Sequence, residues 1–277
     1  MNLKGAAVRL YADYVARALV PKARIRQDDV LVGSFPKSGR TWVRFFVANY
    51  LSDLLGLEIE VGWSNFVVLT PGPLCSRESG LIDCPLTSPR VIFSHDRSSS
   101  RFYRGRKVVY VTRNFLDIVV SYYYFHKSRG KKHLSTMGLD EFVANRFNIK
   151  EAVDRLNHFS SRLERASDLL ILRYEDLKRN PEAGFNRLVT FLPYEFSHKS
   201  FEVALENSTF EAMRRKEAEE RGFSKEEDFH TRKGKSGSYR EALSERVVKD
   251  LIKYLDRHLL GCLRNYYIPA TTPVSGE

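Results

Sequence analysis

Residues 33–42, with the sequence GSFPKSGRTW, combine the residue types of a loop that binds phosphate. The segment follows the apolar residues 30–32 and leads directly into an amphipathic helical pattern. A glycine-rich turn between a strand and a helix directs several backbone N–H groups and the positive end of the helix at one point, where an anion can bind. Lys37 adds a cation there, and Ser38 and Thr41 add hydroxyl donors. The segment therefore predicts an anion site at a strand-to-helix turn.

The spacing of this loop differs from the Walker pattern of nucleoside triphosphatases. More residues separate Gly33 from Gly39 than in the Walker pattern, and Lys37 precedes the second glycine instead of following it. Arg40 and Thr41 occupy the positions of the Walker Lys and Ser/Thr. Taken alone, the loop is also compatible with a plain glycine-rich turn, so its interpretation depends on the rest of the chain.

Two later segments carry further anion-binding residues. Residues 106–114 (RKVVYVTRN) predict a second buried strand that ends at Arg113, followed by a helix that carries Ser121. Residues 232–239 (RKGKSGSY) form a basic loop interrupted by glycines, of the kind that wraps an anion. A ligand with more than one anionic group would use all three segments.

The hydrophobic pattern predicts an α/β fold with a central, mostly parallel sheet flanked by helices on both faces. The strands are expected in short apolar runs at about 29–34, 91–94, 107–112 and 168–173. Ligands of such sheets bind beyond the carboxyl ends of the strands. His95, Arg113 and Tyr174 each follow one of these runs, as the glycine-rich loop does. We therefore expect all four to meet at one edge of the sheet.

The three basic segments, in this order, resemble the cytosolic-type sulfotransferase family, whose members use 3′-phosphoadenosine 5′-phosphosulfate (PAPS). The matching motifs are PKSG-x-TW at 36–42, Arg113-Asn114 with Ser121 eight residues on, and RKG-x-x-G at 232–237. The resemblance spans about residues 29–260. It implies a three-layer α/β sandwich with a P-loop-like loop, and sulfuryl transfer from PAPS to a hydroxyl, less often an amine, of a small molecule. It also implies 3′-phosphoadenosine 5′-phosphate (PAP) as product, and no metal.

The resemblance implies a role for each matching residue. The nucleotide-binding residues would be Lys37, Ser38, Gly39, Arg40, Thr41, Trp42, Arg113, Ser121, Tyr174, Ser208, Phe210, Arg232, Lys233 and Gly234. The amides of residues 37–41 would hold the 5′-phosphosulfate, with the Lys37 ammonium offsetting charge on the bridging oxygen. Arg113 and Ser121 would hold the 3′-phosphate, closed over by residues 232–234.

Several of these residues have a second interpretation. Trp42, Tyr174 and Phe210 offer flat faces for adenine, but Trp42 could equally pack in the core. Arg113 could instead pair with a structural carboxylate such as Asp117.

The implied catalytic residues are His95, Lys37 and Ser121. Histidine suits a general base because its ordinary pKa, near 6.5, leaves it mostly neutral at neutral pH. Well-studied members of the family carry a lysine two residues before this histidine, where this chain has Phe93. A second cation at the reacting group is therefore either missing or supplied by Arg97 or Arg101.

Composition limits the partners. A net charge of +11, from 45 Lys and Arg against 34 Asp and Glu, raises the local concentration of anions. No segment has the pattern of a nucleic-acid module, so we expect an anionic small molecule and no nucleic acid. The three cysteines lack metal-ligand spacing, and no apolar run reaches about 18 residues. We expect a cytoplasmic protein without a metal, a disulfide framework or membrane insertion.

The expected organisation is one domain over residues 1–277, with a core at about 29–260. Residues 1–28 form an N-terminal helical segment, which packs as an ordinary helix or, as the alternative, lies on a membrane. The highly charged residues 209–240 predict a solvated helix and a mobile lid. The family's dimer segment is not present, so the oligomeric state stays open. The sequence does not indicate which molecule is the acceptor.

Two other functions are compatible with the loop. A P-loop kinase or nucleotide phosphotransferase would need a metal-binding carboxylate after the second strand, where this chain has Arg113 and Asn114. A regulatory module that only binds nucleotide would not need His95.

Overall fold

The computed structural model describes residues 22–57, 59–72, 81–83, 89–95, 97–128, 136–223, 229 and 234–268. Its strands are β1 (Lys22–Arg24), β2 (Val30–Ser34), β3 (Leu81–Asp83), β4 (Val91–Ser94), β5 (Lys107–Thr112) and β6 (Asp168–Arg173). Its first helices are α1 (Arg40–Leu54), α2 (Phe66–Leu69), α3 (Phe115–Ser128), α4 (Leu139–Asn145), α5 (Ile149–Leu163) and α6 (Tyr174–Arg179). The others are α7 (Pro181–Phe191), α8 (His198–Asn207), α9 (Phe210–Arg221), α10 (Tyr239–Ala242), α11 (Glu245–His258) and α12 (Arg264–Tyr267). Two 3₁₀ turns lie at Ser98–Phe102 and Gly261–Leu263.

Four strands form a fully parallel sheet in the order β4-β2-β5-β6. The register places Val32 opposite Phe93 on one side and Val109 on the other. These are the four strands expected from the apolar runs, and the predicted fold class is confirmed. The antiparallel pair of β1 with β3 was not predicted, because both strands are only three residues long.

The sheet is buried on both faces, which explains its continuous apolar strands. Alternate strand residues, such as Val30 and Val32, join a core with α1, α7 and α8 that includes Phe46, Phe185 and Phe201. The intervening residues, such as Leu31 and Tyr110, join a second core with α3, α5 and α11 that includes Val119, Phe159 and Leu255. Helices therefore cover both faces, as expected for a three-layer sandwich.

A buried ion pair fixes β4 to β2 at their amino ends. The Arg90 guanidinium lies 2.6 Å from the Asp29 carboxylate, with both side chains at most 1% exposed. Asp29 also accepts hydrogen bonds from the backbone N–H of Arg26 at 2.7 Å and of Arg90 at 3.0 Å. This network holds the register of the two strands whose other ends carry the glycine-rich loop and His95.

Helix α9 differs from the solvated helix that its charges predicted. Glu217 is fully buried and pairs with Arg221 at 3.0 Å, and Lys216 donates to the Val61 carbonyl at 2.8 Å. The Glu220 carboxylate accepts from the backbone N–H of Trp63 at 2.8 Å. The prediction is wrong for these residues. The partners of Lys216 and Glu220 lie about 155 residues earlier in the chain, and helical periodicity carries no information on contacts at that separation.

Of the predicted N-terminal helical segment at residues 1–28, residues 1–21 lie outside the described residues. The prediction is wrong for Lys22–Arg24, which form strand β1 by pairing with β3. Movement of residues 209–240 on ligand binding stays a prediction. Among the described helices, none is long and apolar enough to cross a lipid bilayer.

Candidate active site

A cavity of about 510 Å³ opens at the carboxyl ends of the parallel strands. Its lining includes Pro36, Lys37, Gly39, Arg40, Thr41, Trp42, His95, Arg113, Ser121, Tyr122, Phe125, Tyr174, Lys178, Ser208, Phe210, Gly234 and Lys235. His95 follows β4, the loop follows β2, Arg113 follows β5 and Tyr174 follows β6, so neighbouring strands supply neighbouring parts of the cavity. The residues predicted for one edge of the sheet thus come together there.

The loop turns sharply at two residues. Lys37 has φ of 70° and Gly39 has φ of 90°, in the left-handed region that non-glycine residues seldom adopt. A β-carbon at Gly39 would overlap the ring of Tyr174, so the close approach of the loop to that ring requires glycine. Helix α1 begins at Arg40, and the backbone N–H groups of Trp42 and Val43 donate to the Gly39 carbonyl at 3.0 and 3.4 Å.

The side chains of the loop point in different directions. The Lys37 ammonium lies 4.0 Å from the centroid of the Phe125 ring, a cation–π contact within the cavity lining. Ser38 is fully buried and does not line the cavity. The contact of its hydroxyl with the ligand stays a prediction.

Arg113 contacts two of the three predicted anion-binding segments. Its guanidinium donates to the Lys37 carbonyl at 3.3 Å and to the Lys235 carbonyl at 3.0 Å, and lies 4.5 Å from the Tyr174 ring centroid. Arg113 forms no ion pair with Asp117 among the described contacts. The loop at 33–42 and the segment beginning at 234 are thus joined through one arginine.

Asp117 instead holds the last basic segment in place. This fully buried carboxylate accepts hydrogen bonds from the Gly237 N–H at 2.7 Å, the Ser238 hydroxyl at 3.0 Å and the Tyr239 N–H at 3.1 Å. Asp117 was predicted only as a possible partner of Arg113. The sequence did offer one indication of its role, because Asp117 lies one turn before Ser121 on α3 and therefore near the same end of the sheet.

The aromatic residues form one wall of the cavity. Trp42 packs edge-on against Phe185 at 5.3 Å and Tyr174 at 5.9 Å between ring centroids, and its indole N–H donates to the Ser208 carbonyl at 2.8 Å. Trp42 is therefore packed on one side and lines the cavity with another. Phe210 begins α9, and a β-carbon on Gly234, where φ is 58°, would overlap its ring.

His95 is held by the neighbouring strand. Its Nδ1 lies 3.0 Å from the Ser34 hydroxyl and 3.3 Å from the Ser34 carbonyl, and its own carbonyl accepts a hydrogen bond from Arg155. Burial lowers the pKa of His95 from 6.5 to about 2, and the positive charges of Arg40, Arg155 and Lys37 act in the same direction. The imidazole is therefore neutral at physiological pH. When Nδ1 carries the proton and donates a hydrogen bond to the Ser34 carbonyl, Nε2 is unprotonated and can accept a proton.

The two arginines suggested as a second cation lie elsewhere. Arg97 lines a separate groove with Lys150 and Asp154, and Arg101 is exposed, with its guanidinium 4.7 Å from the Phe102 ring centroid. Neither lines the cavity, so the structure does not support the alternative in which one of them supplies the second cation.

Three polar atoms of the lining residues suit an anionic ligand. Arg40 Nε, Arg113 Nε and Ser208 Oγ are buried and make no hydrogen bond within the described part of the chain. Buried polar groups normally have partners, so groups of this kind around a cavity favour a ligand that accepts hydrogen bonds. Arg232 and Lys233 lie outside the described residues. In the described ranges, no group of three His, Cys, Asp or Glu residues has the arrangement of a metal site.

Comparison with known proteins identifies one family. The family described as sulfotransferase domain matches residues 84–262. The chain is 28% identical over 262 residues to sulfotransferase 1 family member D1 of Mus musculus, covering 83% of this chain and 84% of the relative. It is 26% identical over 258 residues to flavonol 3-sulfotransferase of Flaveria bidentis, covering 84% and 82%.

Solved structures of sulfotransferases share the fold. Mouse sulfotransferase SULT7A1, solved in a complex with PAP, superimposes with a TM-score of 0.58 at 18% identity, covering 87% of this chain and 86% of that chain. Retinol dehydratase, solved with retinol and PAP, gives a TM-score of 0.59 at 17% identity, covering 90% and 85%.

The parallel sheet with its glycine-rich anion loop defines an α/β transferase of the P-loop-like type. The sulfotransferase domain matches well over half of the length of this chain. The chain therefore belongs to the sulfotransferase family. The predicted family and enzyme class are confirmed, and the kinase alternative is not favoured.

Proposed function

We propose that this enzyme transfers the sulfuryl group of PAPS to a hydroxyl of a small-molecule acceptor, with an amine as the less favoured alternative. The observation that carries the proposal is the meeting of His95, the glycine-rich loop and Arg113 around one cavity, from three adjacent strand ends. PAP in the structures of mouse SULT7A1 and retinol dehydratase supports the same cosubstrate here.

The nucleotide would bind through two anionic ends. The loop amides and Lys37 hold the 5′-phosphosulfate, as expected for a helix amino end with a nearby cation. Arg113 and Ser121 hold the 3′-phosphate, and the Arg113 Nε, which has no partner in the described chain, is available for it. Trp42, Tyr174 and Phe210 then contact the adenine and ribose.

His95 would remove the acceptor proton. Its neutral imidazole accepts the hydroxyl proton at Nε2 as the acceptor oxygen bonds to sulfur. The bond from sulfur to the bridging oxygen breaks, and Lys37 offsets the negative charge that grows on that oxygen. Ser121, on the helix that carries Phe125, contributes a hydroxyl at the nucleotide side of the cavity. The products are the sulfated acceptor, PAP and a proton on His95.

The acceptor remains a small molecule of undetermined type. Flavonols are named for the Flaveria bidentis relative, and retinol is bound in one structural neighbour. Tyr122 and Phe125 give the cavity an aromatic wall that favours an acceptor with an apolar ring. We place the enzyme in the cytoplasm, where its cysteines stay reduced.

Calorimetry with PAP and with ATP-Mg²⁺ tests the proposal directly. Wild type should bind PAP at micromolar Kd, and Arg113→Ala should weaken this binding about 100-fold, since a charge-assisted bidentate contact to phosphate is lost. Arg101→Ala, which removes an exposed arginine away from the cavity, is the matched control and should bind as wild type. Tighter binding of ATP-Mg²⁺ than of PAP would refute the proposal.

A second measurement tests His95 as the base. His95→Asn should bind PAP with an unchanged Kd and lose about 10²- to 10⁴-fold in the rate of sulfuryl transfer, the usual contribution of a general base. Full transfer activity in this variant would exclude His95 from that role.

A further inference from the structure

Arg40 is a half-buried cation, and no carboxylate partner for it is found among the described residues. It is the first residue of α1, directly after Gly39, and it lines the cavity. Its Nε is buried without a hydrogen bond, and no carboxylate of the described residues forms an ion pair with its guanidinium. A buried charge without a counter-charge is unfavourable, so an anion in the cavity is the natural partner.

Arg40 also lies where the reaction would occur. Of the three positive charges that act on His95, that of Arg40 is the strongest, ahead of Arg155 and Lys37. Burial lowers the pKa of Arg40 to about 10, partly offset by the nearby Tyr103, so the guanidinium stays protonated at neutral pH. The cation and the proposed base therefore face the same part of the cavity.

The side chains of Phe93, Arg44 and Arg155 are engaged elsewhere. Phe93 is 1% exposed, so the side chain at this position of β4 lies in the core and not in the cavity. The Arg44 guanidinium donates to the Thr70 carbonyl and lies 5.7 Å from the Phe93 ring centroid. Arg155 donates to the His95 carbonyl, so its described contact orients the base.

We propose that Arg40 contacts the sulfuryl group during transfer and stabilises the negative charge on its non-bridging oxygens, an inference that rests on the proposed function. As the acceptor oxygen bonds to sulfur and the bridging oxygen departs, charge is spread over the three sulfuryl oxygens. A planar guanidinium offers several donors to such a group, and the dry surroundings strengthen the interaction. Lys37 acts on the leaving oxygen, and Arg40 acts on the transferred group.

PAP separates this role from simple phosphate binding, because PAP has the 5′-phosphate but no sulfuryl group. We expect Arg40→Gln to change the Kd for PAP by less than about threefold and to slow the conversion of PAPS to PAP about 10²-fold or more, the usual effect of losing one charge-stabilising donor. The conversion is measured with water as the acceptor, so no acceptor needs to be known. Arg40→Lys should retain part of the rate, and Arg101→Gln should match wild type.

The pH dependence of the PAPS conversion rate gives a second test, because a purely structural role of Arg40 would leave it unchanged. Removing the Arg40 charge should raise the pKa of His95, so the acidic limb of the rate profile should shift to higher pH in Arg40→Gln. An unchanged rate of PAPS conversion in Arg40→Gln would overturn the inference. A loss of PAP affinity equal to the loss in rate would also overturn it, because Arg40 would then bind the 5′-phosphate. If Arg40→Gln fails to fold, Arg40→Lys decides on the same two criteria. Failure of wild type to bind PAP would instead refute the proposed function itself.

Discussion

The free energy of unfolding should fall by about 2 kcal/mol between about pH 7.5 and about pH 5 because of a single residue, His95. In the folded protein, burial and the nearby cations lower its pKa from 6.5 to about 2. In the unfolded chain the pKa is near 6.5. Below that pH the unfolded chain binds a proton that the folded protein does not, so stability present above pH 6.5 is lost as the pH falls.

The magnitude follows from the pH interval. At about pH 5 the solution is about 1.5 units below the unfolded pKa, and each unit corresponds to about 1.4 kcal/mol for one proton. The loss continues down to the folded pKa of about 2. Other groups contribute as well, but their contributions cancel when wild type is compared with a variant that lacks only this imidazole.

Urea unfolding of wild type and His95→Asn at the two pH values measures the effect. The variant should lose about 2 kcal/mol less than wild type over the interval. His198→Asn, at an exposed helix position, controls for the removal of a histidine as such. Equal losses in wild type and His95→Asn would show that His95 is protonated in the folded protein, and the reasoning that makes it the neutral base would be refuted.

Three further predictions follow from named contacts. Asp29→Ala should lower the free energy of unfolding by about 3–5 kcal/mol in urea, because it leaves a guanidinium buried without its carboxylate. A loss no larger than that of Asp154→Ala, which breaks an exposed ion pair, would contradict this. Asp117→Asn should weaken PAP binding at least about 10-fold by calorimetry, since three donors of residues 237–239 lose a charged acceptor; an unchanged Kd would separate this segment from the nucleotide. Lys37→Ala should slow sulfuryl transfer about 10²- to 10³-fold while circular dichroism stays unchanged, and a fold that melts with the activity would assign Lys37 a structural role instead.

The sheet and the position of the site followed from local patterns. Apolar runs bounded by turn residues predicted all four parallel strands, because strands buried on both faces have few polar residues. The ends of such strands then located His95, Arg113 and Tyr174, since parallel strands present their carboxyl ends at one edge. Neither step needs a contact between distant side chains.

Contacts between distant segments were decided by tertiary packing. Asp117 binds residues about 120 positions later, and Glu220 binds the backbone of Trp63, which lies 157 positions earlier. The left-handed backbone at Lys37 was not predicted either, because non-glycine residues seldom adopt this conformation.

Local hydrogen bonding and hydrophobic periodicity therefore depend on residues that are neighbours in the sequence. They were sufficient to predict the class of fold, the edge of the sheet that binds the ligand and most residues of the cavity. The charge state of His95 and the isolation of Arg40 depend on how much water and which charges remain nearby after folding. Desolvation is a property of the packed chain as a whole, so only the tertiary structure could determine which of these side chains are fit for acid–base and charge-stabilising roles.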